Sequence, residues 1–282
     1  MAQRHRVLMA APTHYGIEYE INPWMDRTRQ ADRIAATAQW EGLHRVLTEQ
    51  LGLEVCLVEP VPGCPDLVFT ANAGVVLDDR VVLSRFRHPE RQGEEPHFAA
   101  WFAAHGFQVL RIPDEVAFEG EGDALFVGDT LIAGYLYRSE VAGHRRVGEL
   151  LGVRVLSVEL TDPRFYHLDT CFCPLSAETA LYFPPAFDAY AHRVLAANVA
   201  RLIPVEEPEA IRFACNAVVY ERSVALNTGC PRLEEQLREL GYTPYSTPLD
   251  EFLKAGGSAK CLTLHLDRRI PTCLDAGGPA TP

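Results

Sequence analysis

The stretch LVFTANAGVVLDDRVVLSRF, residues 67–86, decides the fold. Two apolar runs flank the turn residues Asp78 and Asp79, which is the pattern of a tight hairpin. Small and polar residues interrupt the first run at Asn72. The same arrangement recurs in FEGEGDALFVGDTLIAGY (118–135), FYHLDTCFCPLSAETALYFP (165–184), RFACNAVVYERSVALNTG (212–229) and GGSAKCLTLHL (256–266). The polar interruptions fall at Asn72, Asp123, Asp169, Asn216 and Cys261, at intervals of 51, 46, 47 and 45 residues. Such a period marks an internal repeat.

Helix-like stretches and a further short strand lie between the hairpins. EEPHFAAWFAAHG precedes FQVLRI, SEVAGHRRVGELLG precedes VRVLSV, AFDAYAHRVLAANVA precedes RLIPV, and PRLEEQLRELG precedes YTPYS. Phe98, Trp101, Phe102 and His105 recur at helical spacing, with Gly106 closing the run. Each unit therefore reads as ββαβ. Five sequential units close most economically in a ring, with one polar-interrupted strand per unit lining the axis. The expected fold is α/β, a five-bladed propeller. No Pro/Gly/Ser linker divides the chain, so a single domain over 1–282 is expected.

Composition narrows the function. The chain has 282 residues, 48% hydrophobic and 23% charged, with a net charge of -12. That sign argues against nucleic acid and anionic membranes as partners, and leaves small cationic substrates open. No stretch approaches the ~20 apolar residues of a membrane span, and the N-terminal MAQRHRVLMAAPTHYG lacks a leader pattern. A cytoplasmic protein is expected, and a homo-oligomer is compatible with the sequence. The eight cysteines (56, 64, 171, 173, 215, 230, 261 and 273) show no C-x-x-C and read mostly as buried free thiols.

FYHLDTCFCPL (165–175) poses the chemical question. On a strand, His167, Asp169, Cys171 and Cys173 would share one face. Residues two apart on a strand rarely converge on one ion, and structural zinc sites prefer C-x(2–4)-C turns, so no metal is expected. Cys171 and Cys173 read as small core fillers. His167 and Asp169 alone would read equally well as a satisfied core pair. Asp66, Asn72, Glu119, Asp123, Asn216 and Cys261 occupy comparable places in the other units. A ring would bring several carboxylates, a His and a Cys to one axial cavity. Clustered carboxylates suit a guanidinium, whose planar fork carries five donors. A thiol beside a His and a bound cation is a nucleophile with a lowered pKa. Cys261, just after Gly256-Gly257 and next to Lys260, is the strongest candidate.

PDLVFTANAG (65–74), FEGEGDAL (118–125), FYHLDTCFCPL and GGSAKCLTL together resemble the guanidino-group modifying enzymes. This superfamily comprises amidinotransferases, arginine deiminases and dimethylargininases, built as pentein-type five-bladed α/β propellers. The resemblance runs from about residue 8 to 266. It implies Cys261 as nucleophile, His167 as general acid/base, and Asp66, Asp169 and an acid in FEGEGD on the guanidinium. Glu119 is preferred over Glu121 for that acid. Arg91 and Arg138 would hold the substrate carboxylate. The deiminases and dimethylargininases resemble FTAN with Asp in its last position, where this chain has Asn72. Together with INPWM (21–25), which adds Asn22 to the substrate-binding set, and FLKAGG (252–257), this points to the arginine dihydrolase branch. The implied reaction takes arginine or a methylated arginine, without metal or cofactor, to ornithine, carbon dioxide and two ammonia. Alternatives are a deiminase or dimethylargininase giving citrulline, an amidinotransferase, or a non-catalytic ligand-binding propeller.

Overall fold

The computed structural model of the chain describes residues 5–269, so Cys273 lies outside it. Five three-stranded sheets, here called blades, make up its β-structure. Blade one pairs Gly74–Leu77 antiparallel with Arg80–Leu83, which pairs parallel with Gln108–Leu110. A parallel pair needs a crossover, and the helix Glu95–Ala104 supplies it. Blade two repeats this with Ala124–Val127, Thr130–Tyr135, the helix Val141–Leu151 and Arg154–Glu159. Blade three uses Phe172–Pro174, Thr179–Tyr182, the helix Ala189–Asn198 and Arg201–Pro204. Blade four uses Val218–Tyr220, Ser223–Asn227, the helix Pro231–Glu239 and Thr243–Thr247.

The fifth blade departs from the sequential reading. Leu264–His265 pairs antiparallel with Arg6–Ala10, which pairs parallel with Glu54–Val58 after the helix Arg33–Arg45. Both ends of the described chain therefore build one blade. Arg6 clamps the join, with Nη2 2.6 Å from Asp267 Oδ1 and its backbone N–H donating to Asp267 Oδ2. Closure in this way ties the first and last segments of the described chain into one sheet.

The turn chemistry explains the hairpins. Leu77 opposite Arg80, Val127 opposite Thr130 and Tyr220 opposite Ser223 each leave a two-residue loop. The first loop residue has positive φ in all three: Asp78 at 56°, Gly128 at 59° and Glu221 at 51°. That sign matches the right-handed twist of the flanking strands.

The polar interruptions do not lie on strands. Asn72 sits in the 3-10 turn Thr70–Ala73, Asp169 in Leu168–Thr170, and Asp123 directly follows Gly120–Gly122. Asn216 and Cys261 precede their strands in irregular turns. His167, Asp169, Cys171 and Cys173 consequently do not alternate along one strand, because only Cys173 of the four belongs to it. The strands themselves are apolar, and GVVL and ALFV are buried at every position. Strands covered on both faces lose the alternation on which the sequence reading relied.

These turns also lock the ring. Asn72 Nδ2 donates to Glu119 O (3.1 Å), and Leu168 N donates to Asp123 Oδ1 (3.1 Å). Asn216 Nδ2 reaches Asp169 O (3.1 Å), Cys261 N reaches Asn216 Oδ1 (3.0 Å), and Ala71 N reaches Cys261 O (3.1 Å). Each blade is thus hydrogen-bonded to the next around a closed circle. Asp123 belongs to this lock. Its second oxygen accepts from Ser139 Oγ at 2.6 Å, and burial pushes its carboxyl well above the usual range.

Under blade one, Phe102 is fully buried and meets Phe107 edge to face at 5.4 Å. Phe102→Ala is expected to cost about 3–5 kcal/mol of stability by removing a buried ring and leaving a cavity. Urea unfolding measures this. A loss below about 1 kcal/mol would contradict the packing described. No helix among the described residues is long and apolar enough to cross a membrane.

Candidate active site

Cys261 is buried at the axis. Its Sγ lies 3.1 Å from Asn216 Nδ2 and 3.4 Å from Asp169 Oδ2. The two glycines before it are sterically required. A Cβ on Gly257 would come within 2.3 Å of the Phe69 ring, and Gly256 has φ +82° with Tyr166 Oη donating to its carbonyl at 2.8 Å. Burial first, and Asp169 second, push the Cys261 thiol well above its ordinary value, so in the free protein it holds its proton.

His167 is paired with Glu119, Nε2 to Oε2 at 2.8 Å. The same carboxylate oxygen accepts from Arg138 Nη1 at 3.0 Å, and Oε1 accepts from Arg87 N at 3.2 Å. Burial opposes the charge on Glu119, yet Arg138 and His167 outweigh it and hold this carboxyl well below the usual range. An ionised carboxylate only accepts, so His167 Nε2 carries the proton and Nδ1 is the basic nitrogen. Burial holds His167 neutral, down to about 4, despite the opposing pull of Glu119. Glu121, two residues on, turns elsewhere and pairs with Lys260 at 2.8 Å. Of the two glutamates in FEGEGD, Glu119 faces the histidine.

Arg91 is more committed than a free carboxylate clamp. It forks onto both oxygens of Glu94 at 2.8 Å, and also reaches Asn72 Oδ1 (2.9 Å) and Asp66 O (3.1 Å). Glu94 was not anticipated, although its spacing of three from Arg91 in ERQGE is the available signal. Arg138 spends one bond on Glu119 and one on Ile21 O (3.0 Å), leaving three of its five N–H donors. Its guanidinium stacks 4.6 Å over Tyr166. Asn22 ties the 21–25 loop to the glycine turn, with Nδ2 donating to Ala255 O (3.0 Å) and Oδ1 accepting from Trp24 N (2.9 Å). Arg85 pairs with Glu95 at 3.2 Å. The thiols of Cys171 and Cys173 contact backbone carbonyls, Leu168 O at 3.5 Å and Ala217 O at 3.7 Å.

Asn72 is held at both ends of its amide, by Arg91 and by Glu119 O, which fixes which end is nitrogen. Gly122 makes room for it, since a Cβ there would fall 2.1 Å from Nδ2. Among the described residues, Asp66 Oδ1 and Asp169 Oδ1 are buried without a hydrogen-bond partner at full bonding distance, and the Tyr19 hydroxyl stands beside Asp66. Burial raises both carboxyls, Asp169 to about 7 with Lys260 opposing.

The model of the family described as N,N dimethylarginine dimethylhydrolase, eukaryotic, matches residues 18–268. A Mycobacterium tuberculosis N(G),N(G)-dimethylarginine dimethylaminohydrolase is 41% identical over 93% of this chain and 85% of that protein. The chain belongs to the dimethylarginine dimethylhydrolase family. Within this family's wider relations, the bifunctional arginine dihydrolase/ornithine cyclodeaminase ArgZ of Synechocystis sp. is 50% identical over 96% of the chain. The chain spans 39% of the length of that relative. The solved N-terminal domain of ArgZ, a cysteine-to-serine mutant bound to substrate, superposes with a TM-score of 0.91 at 49% identity, covering 95% of this chain and 100% of that one. A dimethylarginine dimethylaminohydrolase at 20% identity and TM-score 0.81 shares the fold. The five small sheets are therefore the pentein propeller that the repeat and the resemblance implied.

Proposed function

We propose that this chain is an arginine dihydrolase, a single catalytic domain converting arginine to ornithine, carbon dioxide and two ammonia. One observation carries the proposal: the buried carboxylates Asp66 and Asp169 and the Cys261 thiol all stand around Tyr166, whose ring lies 4.7 Å from that of His167, with Cys261 Sγ 3.4 Å from Asp169 Oδ2. A guanidinium supplies planar cationic donors to both acids and puts its carbon beside the thiol. Its charge also offsets the burial that keeps Cys261 protonated, so the nucleophile forms when substrate arrives. The branch is supported by relatives with arginine dihydrolase in their names at 50% and 49% identity.

Cys261 Sγ attacks the guanidinium carbon, and His167 carries a proton to the departing ammonia. His167 then takes a proton from water, which adds to the amidino-thioether. Expulsion of sulfur at this stage gives citrulline. Expulsion of the second ammonia leaves a thiocarbamate, and a second water releases Cys261 and a carbamate that decomposes to carbon dioxide and ornithine. Glu119 orients His167 and stabilises its imidazolium. The three N–H donors that Arg138 does not spend on Glu119 and Ile21 O would hold the substrate carboxylate, whereas Arg91, forked onto Glu94, holds Asn72 and the Asp66 backbone in place. The seven described free cysteines support placement in a reducing compartment, the cytoplasm.

Asn72 bears on the product. One N–H of Nδ2 is spent on Glu119 O, which leaves one donor for the intermediate or its water. Asn72→Asp keeps the acceptor for Arg91, loses that donor and sets a carboxylate against the Glu119 carbonyl. The citrulline fraction should rise relative to ornithine. Counting ammonia, citrulline and ornithine per arginine consumed tests both statements. Wild type giving only citrulline, or only dimethylamine from dimethylarginine, would overturn the dihydrolase assignment. An unchanged ratio in Asn72→Asp would remove Asn72 from the explanation.

A further inference from the structure

The motif INPWM contributes more to the site than Asn22. Between Ile21 and Trp24, three residues each reach a different part of the machinery. Ile21 O accepts from Arg138 Nη2 at 3.0 Å. Asn22 Nδ2 donates to Ala255 O at 3.0 Å, on the glycine turn that leads to Cys261. Trp24 Nε1 donates to Arg164 O at 2.7 Å, three residues before His167. Tyr166 completes the circuit, its hydroxyl donating to Gly256 O at 2.8 Å while its ring lies under the Arg138 guanidinium.

The stretch also bridges two cores. Ile21 packs against the apolar cluster that contains Cys261, whereas Trp24 packs against the one that contains Phe165, Leu168 and Phe213. Phe213 meets the indole edge on, with centroids 4.8 Å apart, and its ring lies 6.2 Å from that of Phe165. Phe213 is fully buried and holds φ at 56°, a left-handed conformation that a bulky side chain rarely adopts. Such strain persists only where the surroundings fix the residue firmly. Trp24 therefore sits against a rigid aromatic wall, and its N–H ties the segment carrying His167 to the stretch that holds Arg138. Glu119 holds the Nε2 end of the imidazole. Trp24 holds the chain from which that ring projects.

We propose that Trp24 is a positioning residue for the general acid, setting His167 against the leaving nitrogen through its bond to Arg164 O. The inference rests on the arginine reaction proposed above.

Two substrates separate positioning from packing. One is arginine; the other is its S-alkyl isothiourea analogue, with an alkylthio group in place of one terminal nitrogen. With arginine, Cys261 Sγ bonds to the guanidinium carbon, the C–N bond breaks, and ammonia departs with a proton carried by His167. With the analogue, the C–S bond breaks and the alkylthiolate takes the electron pair without needing that proton. Both substrates keep the carboxylate for Arg138. Trp24→Phe keeps an aromatic ring against Phe213 and removes the N–H donor. It should lower kcat/KM about tenfold for arginine, and less than about threefold for thiol release from the analogue. An unfolded fraction or a weaker grip on the carboxylate lowers both values by the same factor, so a purely structural role would leave their ratio unchanged. Equal losses on the two substrates, or no loss on arginine, overturn the proposal. A wild type inactive on arginine overturns the function proposed above, and this inference with it.

Discussion

Cys261→Ser should consume arginine at or below about a thousandth of the wild-type rate while the protein keeps its fold. Serine nearly matches the thiol in shape, and the hydroxyl can still accept from Asn216 Nδ2. The loss is chemical. A bound guanidinium and two acids can draw a proton from a thiol far more easily than from a hydroxyl, and sulfur is the better nucleophile and leaving group. Acid-quenched wild type should carry a covalent adduct on the Cys261 peptide, absent from the variant. Cys171→Ser and Cys173→Ser should retain most activity, because those thiols face backbone carbonyls in the core. Retention of a tenth of the rate in Cys261→Ser, or an adduct on another cysteine, would remove Cys261 from its assigned role.

Glu119→Gln should lower kcat by about a hundredfold, with a smaller change in KM. The amide keeps the shape but cannot stabilise the imidazolium that forms when His167 takes a proton. It also leaves the buried Arg138 guanidinium without its counter-charge. The pH dependence of stability provides a second readout. His167 is held down from 6.5 to about 4 by burial, so its neutral form is the folded form. That contribution is fully present above its unfolded pKa and is lost as pH falls from about 6.5 to about 4. Removing Glu119 also removes the chief group that favours the imidazolium, so the Gln variant should lose more stability across this window. Equal slopes for the two proteins, with kcat unchanged, would contradict the pairing.

Much of this was legible in the residues alone. The period of 45–51 residues between polar interruptions located four hairpins and the strand that completes the fifth blade, because turn pairs such as Asp78-Asp79 and Gly128-Asp129 and the apolar runs beside them are local signals. The four motifs of the resemblance likewise placed Cys261, His167, Asp66 and Asp169 in one set. What was misread is equally specific. Alternation in the sequence puts His167 to Cys173 on one strand face, whereas in the structure a 3-10 turn carries Asp169 to the axis. Whether a short polar segment extends or coils depends on what its backbone bonds to, and here the partners lie in other blades.

The sequence by itself determined the number of blades, their internal order and the kinds of side chain gathered at the axis, since each follows from local pattern and spacing. Only the tertiary structure decided how they are used. It joined the two ends into one blade through Arg6 and Asp267. It separated Glu119 from Glu121, neighbours two residues apart, sending one to His167 and the other to Lys260. It also turned Asp123 into a latch, occupied Arg91 with Glu94 and, among the described residues, left Asp66 Oδ1 and Asp169 Oδ1 without a partner at full bonding distance. The physical reason is that a buried polar group takes its role from its partners, and around a closed ring those partners are supplied by blades distant in sequence.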